Sequence, residues 1–587
     1  MKNRIGLLAA GIALATLGGC ALEGDNGAIG RNGSDGADGA GQVIALTRVA
    51  RTASQGFDEA AAEIVEYDAV GNRIFTVNAE SGEVDVFDAG SFAVLNGANP
   101  AQSLDLRAML VAAAKAGSTA EVGNANSLSV HGNLVAVAVE ANPKTAAGWV
   151  VFLNAGTLAY VNAVSVGALP DMVAFTPDGA RLLVANEGEP NEGYSVDPEG
   201  SVSVIDVGTF AITPIGFTDF NAGNSRNAEL PAAKMVLNSL NGSVAQDLEP
   251  EYIAVSADGG QAYVSLQEAN AIAVLDLSDN SVEKIIGLGF KDHSIPGNEF
   301  DASQRDGVNL KTWPVMGMYM PDTLSTFAYN GRQYVITANE GDSRDDWLAP
   351  IADELDCEGS RGYYFVDGEC LDELALRDIA DSDLVAGPAL AGLDTDSTLG
   401  RLKFSYQATK LKNGGTTVNR LYAYGARSFA IWDAASGEQV FDSGSDFERI
   451  TALRYGSLFN QNHNADLGDP ATGDDRSDNK GPEPEALAVG RIGGHTYAFV
   501  GLERMGGIMV YDISNPFAPQ FVQYVNERDV TAGPDQNSVA AGSDLGPESI
   551  KFVPAAANPG GKPLLIVGNE VSGTTSVYEI AVTALQE

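Results

Sequence analysis

One short unit recurs along this chain and constrains its fold more than any other feature: alternating apolar runs separated by tight, Gly-rich turns. The clearest copy is Gly481–Pro516, GPEPEALAVGRIGGHTYAFVGLERMGGIMVYDISNP. A Pro/Glu-rich approach leads into Ala486–Val489, and Gly493-Gly494 turns the chain into Tyr497–Leu502. After Glu503 and Arg504, a second Gly pair opens Ile508–Ile513. Alternation at period two between turn glycines is the signature of short antiparallel strands in one sheet.

The same pattern runs through Ile64–Val94, Leu128–Val166, Leu169–Ile215 and Leu248–Leu288. A fifth unit holds MYMPDTLSTFAYNGRQYVITANEGDSRDD and a sixth holds RLYAYGARSFAIWDAASGEQVFDSG. The stretch above is the seventh, and an eighth ends at Ile580. Repetition at this period predicts an all-β chain folded as a single β-propeller of seven to eight blades, because the first strand of the sixth unit is poorly defined. A β-sandwich array and a β-helix are the alternatives. The last unit lacks an outer strand and Val43–Ala50 lacks a hairpin partner, so the N- and C-terminal strands are expected to pair and close the ring, hiding its edges. The propeller is expected over 43–584, with insertions near 349–400 and 456–480.

The first twenty residues bear on location. Lys2 and Arg4 precede the short apolar run Ile5–Leu17 and then Leu17-Gly18-Gly19-Cys20. The run is too short for a bilayer span but suits a signal-peptide core over 1–19. Its ending resembles a bacterial lipobox, which makes Cys20 the lipidation site. An ordinary secretory signal is the alternative. Ala21 fits sorting to an outer membrane, facing the periplasm or the cell surface. Glycines at period three from Gly24 to Gly39 lack the prolines of collagen, so 20–42 reads as a flexible acidic tether. In an exported chain, Cys357 and Cys370 read as a local disulfide. Without a nearby His they make a poor zinc set.

The formal charge of −43 repels nucleic acid and anionic membrane surfaces, leaving the lipid as the membrane contact, and it favours cations. Solubility in salty surroundings and specific divalent-ion binding both account for it. Topology separates these readings. Successive strands run antiparallel, so the loop entering a first strand and the loop leaving a second strand share one face. Asp171, Glu249, Glu251, Asp322, Glu483, Glu485 and Glu548 enter, while Glu187, Glu268, Glu340, Asp342, Glu503 and Glu570 leave. Oxygen-only donors suit Ca²⁺. Asn339–Asp346, which adds Asp345, is the densest candidate segment. The bland alternative is that each acid or amide caps its own turn. Arg344, Arg427 and Arg504 follow second strands and are expected either to pair with these acids or to grip a phosphoester. His463, in the polar insertion, is the candidate acid or base. No P-loop, HExxH or GxSxG pattern is present.

EFDASQRDGVNLKTWPVMGMYMPD, YVITANEGDSRDDW, RLYAYGARSFAIWD, the stretch from Ser477 to Pro516 and GPESIKFVPAAANPGGKPLLIVGNEVSGTTSVYEI together resemble the choice-of-anchor I domain, which includes proteins similar to the mesenchyme-specific glycoprotein MSP130. The resemblance implies an exported propeller attached to a surface by varying anchors, and the chain is expected to be a monomer. It also implies a link to calcium biomineral in animals, while bacterial members are labelled alkaline phosphatase-like. Two functions follow as expectations: a Ca²⁺-binding surface protein that meets a partner or mineral, or a metal-dependent phosphoesterase.

Overall fold

Turn chemistry sets the pairing of the first two strands in each repeat. Asp178 accepts hydrogen bonds from the Thr176 hydroxyl (2.7 Å) and the Ala180 amide (3.0 Å), and Asp258 repeats this with Ser256 and Gly260. An Asx turn of this kind reverses the chain in a few residues and fixes strand register. A computed structural model describes residues 42–79, 81–237, 242–463 and 472–584. The expected signal segment, Cys20 and all but the end of the tether lie outside the described residues.

Among the described residues, seven four-stranded antiparallel sheets follow one another. Their first strands are Val65–Asp68, Val122–His131, Pro170–Phe175, Pro250–Val255, Leu324–Tyr329, Pro484–Ile492 and Pro547–Val553. Each first strand touches the next in order, the seventh touches the first, and together they line a channel of about 370 Å³. Apolar clusters lie between consecutive sheets: Phe75 with Leu128, Phe152 with Leu182, Leu183 with Val264, and Val274 with Val335. Ile336 with Val500 and Phe499 with Leu565 continue the series, and Ile566 with Ile74 joins the last sheet to the first. Burying each such side chain is worth about 1.5–3 kcal/mol, so every sheet depends on both neighbours. The chain is an all-β propeller.

The sheets depart from the repeat count at one place. The fifth and sixth sequence units form one sheet: Leu324–Tyr329 and Arg332–Asn339 pair onward to Ser428–Asp433 and Gln439–Asp442. The missing first strand of the sixth unit is thereby explained, because RLYAY instead pairs in parallel with Val315–Met318. The excursion between the second and third strands packs Phe404 and Leu421 against Trp313, which lies ahead of the sheet's first strand. It also holds the Cys357–Cys370 disulfide. At the other end of the chain, Gln42–Arg51 pairs antiparallel with Thr574–Ala584 as the outer strand of the seventh sheet, as the unpaired Val43–Ala50 run led one to expect.

Candidate functional site

Five sheets are entered through the same dipeptide: Pro170-Asp171, Pro250-Glu251, Pro321-Asp322, Pro484-Glu485 and Pro547-Glu548. Proline has no N–H to give the ladder, so it sits where a strand begins. Directly after it the register with the second strand slips, between Pro170 and Met172, Pro250 and Ile253, Pro484 and Leu487, and Pro547 and Ser549. Such a bulge re-aims the side chain it contains. The residue ahead of each proline has a positive φ: Leu169 44°, Glu249 35°, Met320 40°, Glu483 52° and Gly546 66°. Four of these are not glycine, and a following proline narrows their allowed backbone further. Strain repeated at equivalent positions is characteristic of sites that the fold holds for function.

The consequence is a ring. Glu63, Asn126, Asp171, Glu251, Asp322, Glu485 and Glu548, one from each sheet, line a cavity of about 520 Å³. It shares Ile64, Ser127, Met172 and Tyr252 with the central channel and so forms one of its mouths. Glu340, Asp342, Glu503 and Glu570, which leave second strands, bring the lining to ten carboxylates against Lys480 and Arg504.

Crowding these acids shifts them strongly. Burial first, and then the neighbouring acids Glu570, Asp171 and Glu140, push the Glu63 carboxyl up to about 8. Burial and then Glu340 raise Asp322 to about 8, and burial and then Glu189 raise Asp171 to about 7. Glu485, Glu503 and Glu548 also lie well above the usual carboxylate range, with burial the leading cause. Three donor sets bring their atoms within 4.8 Å of one another: Asp322/Glu485/Glu548, Glu340/Glu485/Glu503 and His463/Glu503/Glu570. One carboxylate oxygen on Glu485 and one on Glu503 have no hydrogen-bond partner, although these residues are only 8% and 4% exposed. A buried unpaired carboxylate oxygen is costly unless a cation meets it.

The basic residues divide by partner. Burial pushes the Glu483 carboxyl up, but Arg476, Lys480 and Arg504 outweigh it and hold Glu483 well below the usual range. Lys480 also pairs with Glu340, and Arg504 Nε lies 3.1 Å from Glu503 Oε1. His463 Nε2 faces the Arg504 guanidinium and lies 3.3 Å from Glu503. Burial and then Arg504 and Arg528 lower its pKa well below the ordinary value.

Several sequence-selected residues lie elsewhere. Asp345 accepts from the amides of Asp372 (2.6 Å) and Glu373, inside the excursion and away from the mouth. Arg427 is buried against Glu448 and donates to the Asp301 and Ser477 carbonyls. Arg344 pairs with Glu249, both almost wholly buried, so neither is presented to the cavity. Glu187 is buried, with Glu189 and Asp171 as acidic neighbours. The amides that end second strands do serve structure: Asn186 bridges Gly167 and Ser203, and Asn569 bonds the Thr574 carbonyl. Residue-type reasoning passed over Glu63 and Lys480. Lys480 had a signal, as the base immediately ahead of the GPEPE approach.

Residues 63–516 match the choice-of-anchor I domain, more than half of the chain. The chain belongs to the choice-of-anchor I domain family. Among curated relatives, Gigasin-3a of Magallana gigas is 32% identical over 194 residues, covering 32% of this chain and 68% of that protein. The mesenchyme-specific cell surface glycoprotein of Strongylocentrotus purpuratus is 27% identical over 282 residues, 46% of this chain and 35% of that protein. Among solved structures, the hydrazine synthase of Kuenenia stuttgartiensis aligns at a TM-score of 0.43 with 12% identity, covering 90% of this chain and 97% of that one. The propeller domain of Cps50 (Swd1) from Myceliophteria thermophila aligns at 0.39 with 8% identity, covering 92% of this chain and 100% of that one. In this choice-of-anchor I protein, the MYMPD, GPEPE and GPES segments are the ones that bring acids to the mouth.

Proposed function

We propose that this chain is an exported, surface-attached propeller of seven blades in a closed ring, and that its acidic mouth binds Ca²⁺. The seven sheets and the apolar cluster joining the seventh to the first support the blade count and closure. The single observation that carries the cation reading is convergence: equivalent strained Pro-acid entries aim carboxylates into one cavity, where buried oxygens on Glu485 and Glu503 stay unpaired. Hard oxygen donors without sulfur, in a loose arrangement open to water, suit Ca²⁺ better than Zn²⁺ or Mg²⁺. Within the mouth, Asp322, Glu485 and Glu548 would hold the ion, because their oxygens converge within 4.8 Å of one another while Lys480 and Arg504 are paired with Glu340, Glu483 and Glu503. Export through the 1–19 segment, with a lipid on Cys20, accounts for surface attachment. The Strongylocentrotus relative, named as a cell surface glycoprotein, supports that location. A bound ion at an open mouth would present charge to a partner or a mineral face. The phosphoesterase reading has less behind it, since Arg344, Arg427 and Arg504 are each engaged by carboxylates.

Calorimetric titration of metal-stripped protein with Ca²⁺ tests the reading. Binding heat and a raised melting temperature are expected, both lost in Glu485→Gln/Glu548→Gln. Neither heat nor stabilisation in the wild-type protein overturns it.

A further inference from the structure

Of the three donor sets, His463/Glu503/Glu570 already has Arg504 against it, facing His463 Nε2 and pairing with Glu503. The other two are carboxylate sets that share Glu485, and they differ in what already sits beside them. Asp322/Glu485/Glu548 has acids around it. Glu340/Glu485/Glu503 has Lys480, whose ammonium pairs with Glu340 and lies 3.3 Å from Glu483 Oε2 and 3.8 Å from Asp342 Oδ1. Gln267 Nε2 donates to the other Glu340 oxygen at 3.1 Å. The Lys480 side chain is only 13% exposed.

Lys480 is held there by its backbone. The adjoining Asn479 and Gly481 amides both donate to the Arg476 carbonyl (3.1 and 3.0 Å), and the Arg427 guanidinium donates to the Ser477 and Asn479 carbonyls on the near side. The loop is therefore tied down one residue before and one residue after the lysine. An ammonium delivered this way carries a single positive charge and three donors, and needs no ligand from solution. A divalent ion entering the same set would have to break the Lys480–Glu340 pair and sit beside a buried cation, which is strongly unfavourable.

The geometry points to Lys480 as a built-in counter-ion that fills the Glu340/Glu485/Glu503 set and so limits the mouth to a single divalent ion, at Asp322/Glu485/Glu548. This inference rests on the proposed cation-binding function and assigns its stoichiometry and the residue that fixes it. Two observations beyond the acids themselves support it. The unpartnered Glu485 oxygen marks capacity that Lys480, which pairs with Glu340, does not take. The anchored loop shows that the lysine's position is built by the fold.

The test is calcium stoichiometry of the full chain by equilibrium dialysis of metal-stripped protein with CaCl₂, for wild type, Lys480→Met, Lys480→Arg and Lys480→Met/Glu340→Gln. The inference expects a single ion for wild type and Lys480→Arg, a second ion in Lys480→Met, and loss of that second ion in the double variant. If Lys480→Met does not fold, Lys480→Gln decides in the same way, a second ion being expected there and not in Lys480→Arg. Two ions in the wild type, or a single ion in the folded uncharged variant, overturns the Lys480 assignment and leaves cation binding standing. No ion in the wild type overturns the function on which it rests.

Discussion

Glu63→Gln isolates the electrostatic cost of the ring, because Glu63 lines the mouth without belonging to any of the three donor sets. Burial, followed by Glu570, Asp171 and Glu140, raises its carboxyl from 4.5 to about 8. The folded protein therefore keeps a proton that the unfolded chain has already lost, and the contribution to stability is full below 4.5. It declines as pH rises through the window up to about 8, then levels off. Each pH increment of one within that window removes about 1.4 kcal/mol, so near pH 7 the deficit is on the order of 3 kcal/mol. Partial exposure of the side chain to water reduces this to about 1–2 kcal/mol. Glutamine keeps the shape and removes the titration. Denaturant unfolding in chelator should show Glu63→Gln more stable than wild type by about 1–2 kcal/mol near pH 7 and by less than about 0.5 near pH 5. Equal stabilisation at both pH values, or destabilisation near pH 7, would refute burial among like charges as the cause.

Three further outcomes follow from particular contacts. Glu485→Gln should weaken Ca²⁺ binding by about 100-fold, at or beyond the cost of losing an outer-shell partner, while raising the melting temperature in chelator; unchanged affinity counts against Glu485 as a ligand. Arg427→Ala strands buried Glu448 and should cost about 3–5 kcal/mol, read from the denaturant midpoint; an unmoved midpoint would remove its structural role. Replacing Cys357 and Cys370 with Ser should cost about 2–3 kcal/mol for a loop of sequence separation 13, seen first as proteolysis of the excursion while the propeller stays intact; resistance equal to wild type would contradict that.

Much of this molecule is legible in its sequence, for a physical reason. A strand exposed to water on neither face at its centre and turned by Asp-Gly leaves a local imprint, so the sheets, the outer N-terminal strand and the acidic face could be read from period-two runs and turn residues. Local imprint is also why eight units can be read in the sequence where seven four-stranded sheets lie among the described residues. RLYAY stands where a poorly defined first strand is read, yet its partner is Val315–Met318, more than a hundred positions earlier, a pairing that no window of sequence contains. The site divides similarly. Strand polarity placed Glu340, Glu485, Glu503, Glu548 and Glu570 on one face, and the structure brings them together. It could not show that Arg344 turns back onto Glu249, that Arg427 anchors Glu448, or that Asp345 caps Asp372 and Glu373, because each depends on how the excursion folds. Lys480 escaped for the opposite reason: a single lysine in a polar loop carries no periodicity, and only the tertiary fold sets it among three acids.

Diffraction from crystals soaked in CaCl₂, with anomalous data collected to identify the ion, tests the central claim most directly. The account predicts one calcium peak among the Asp322, Glu485 and Glu548 carboxylates, with Lys480 still on Glu340. A mouth holding only water at saturating calcium, or calcium bound solely outside it, would contradict the account.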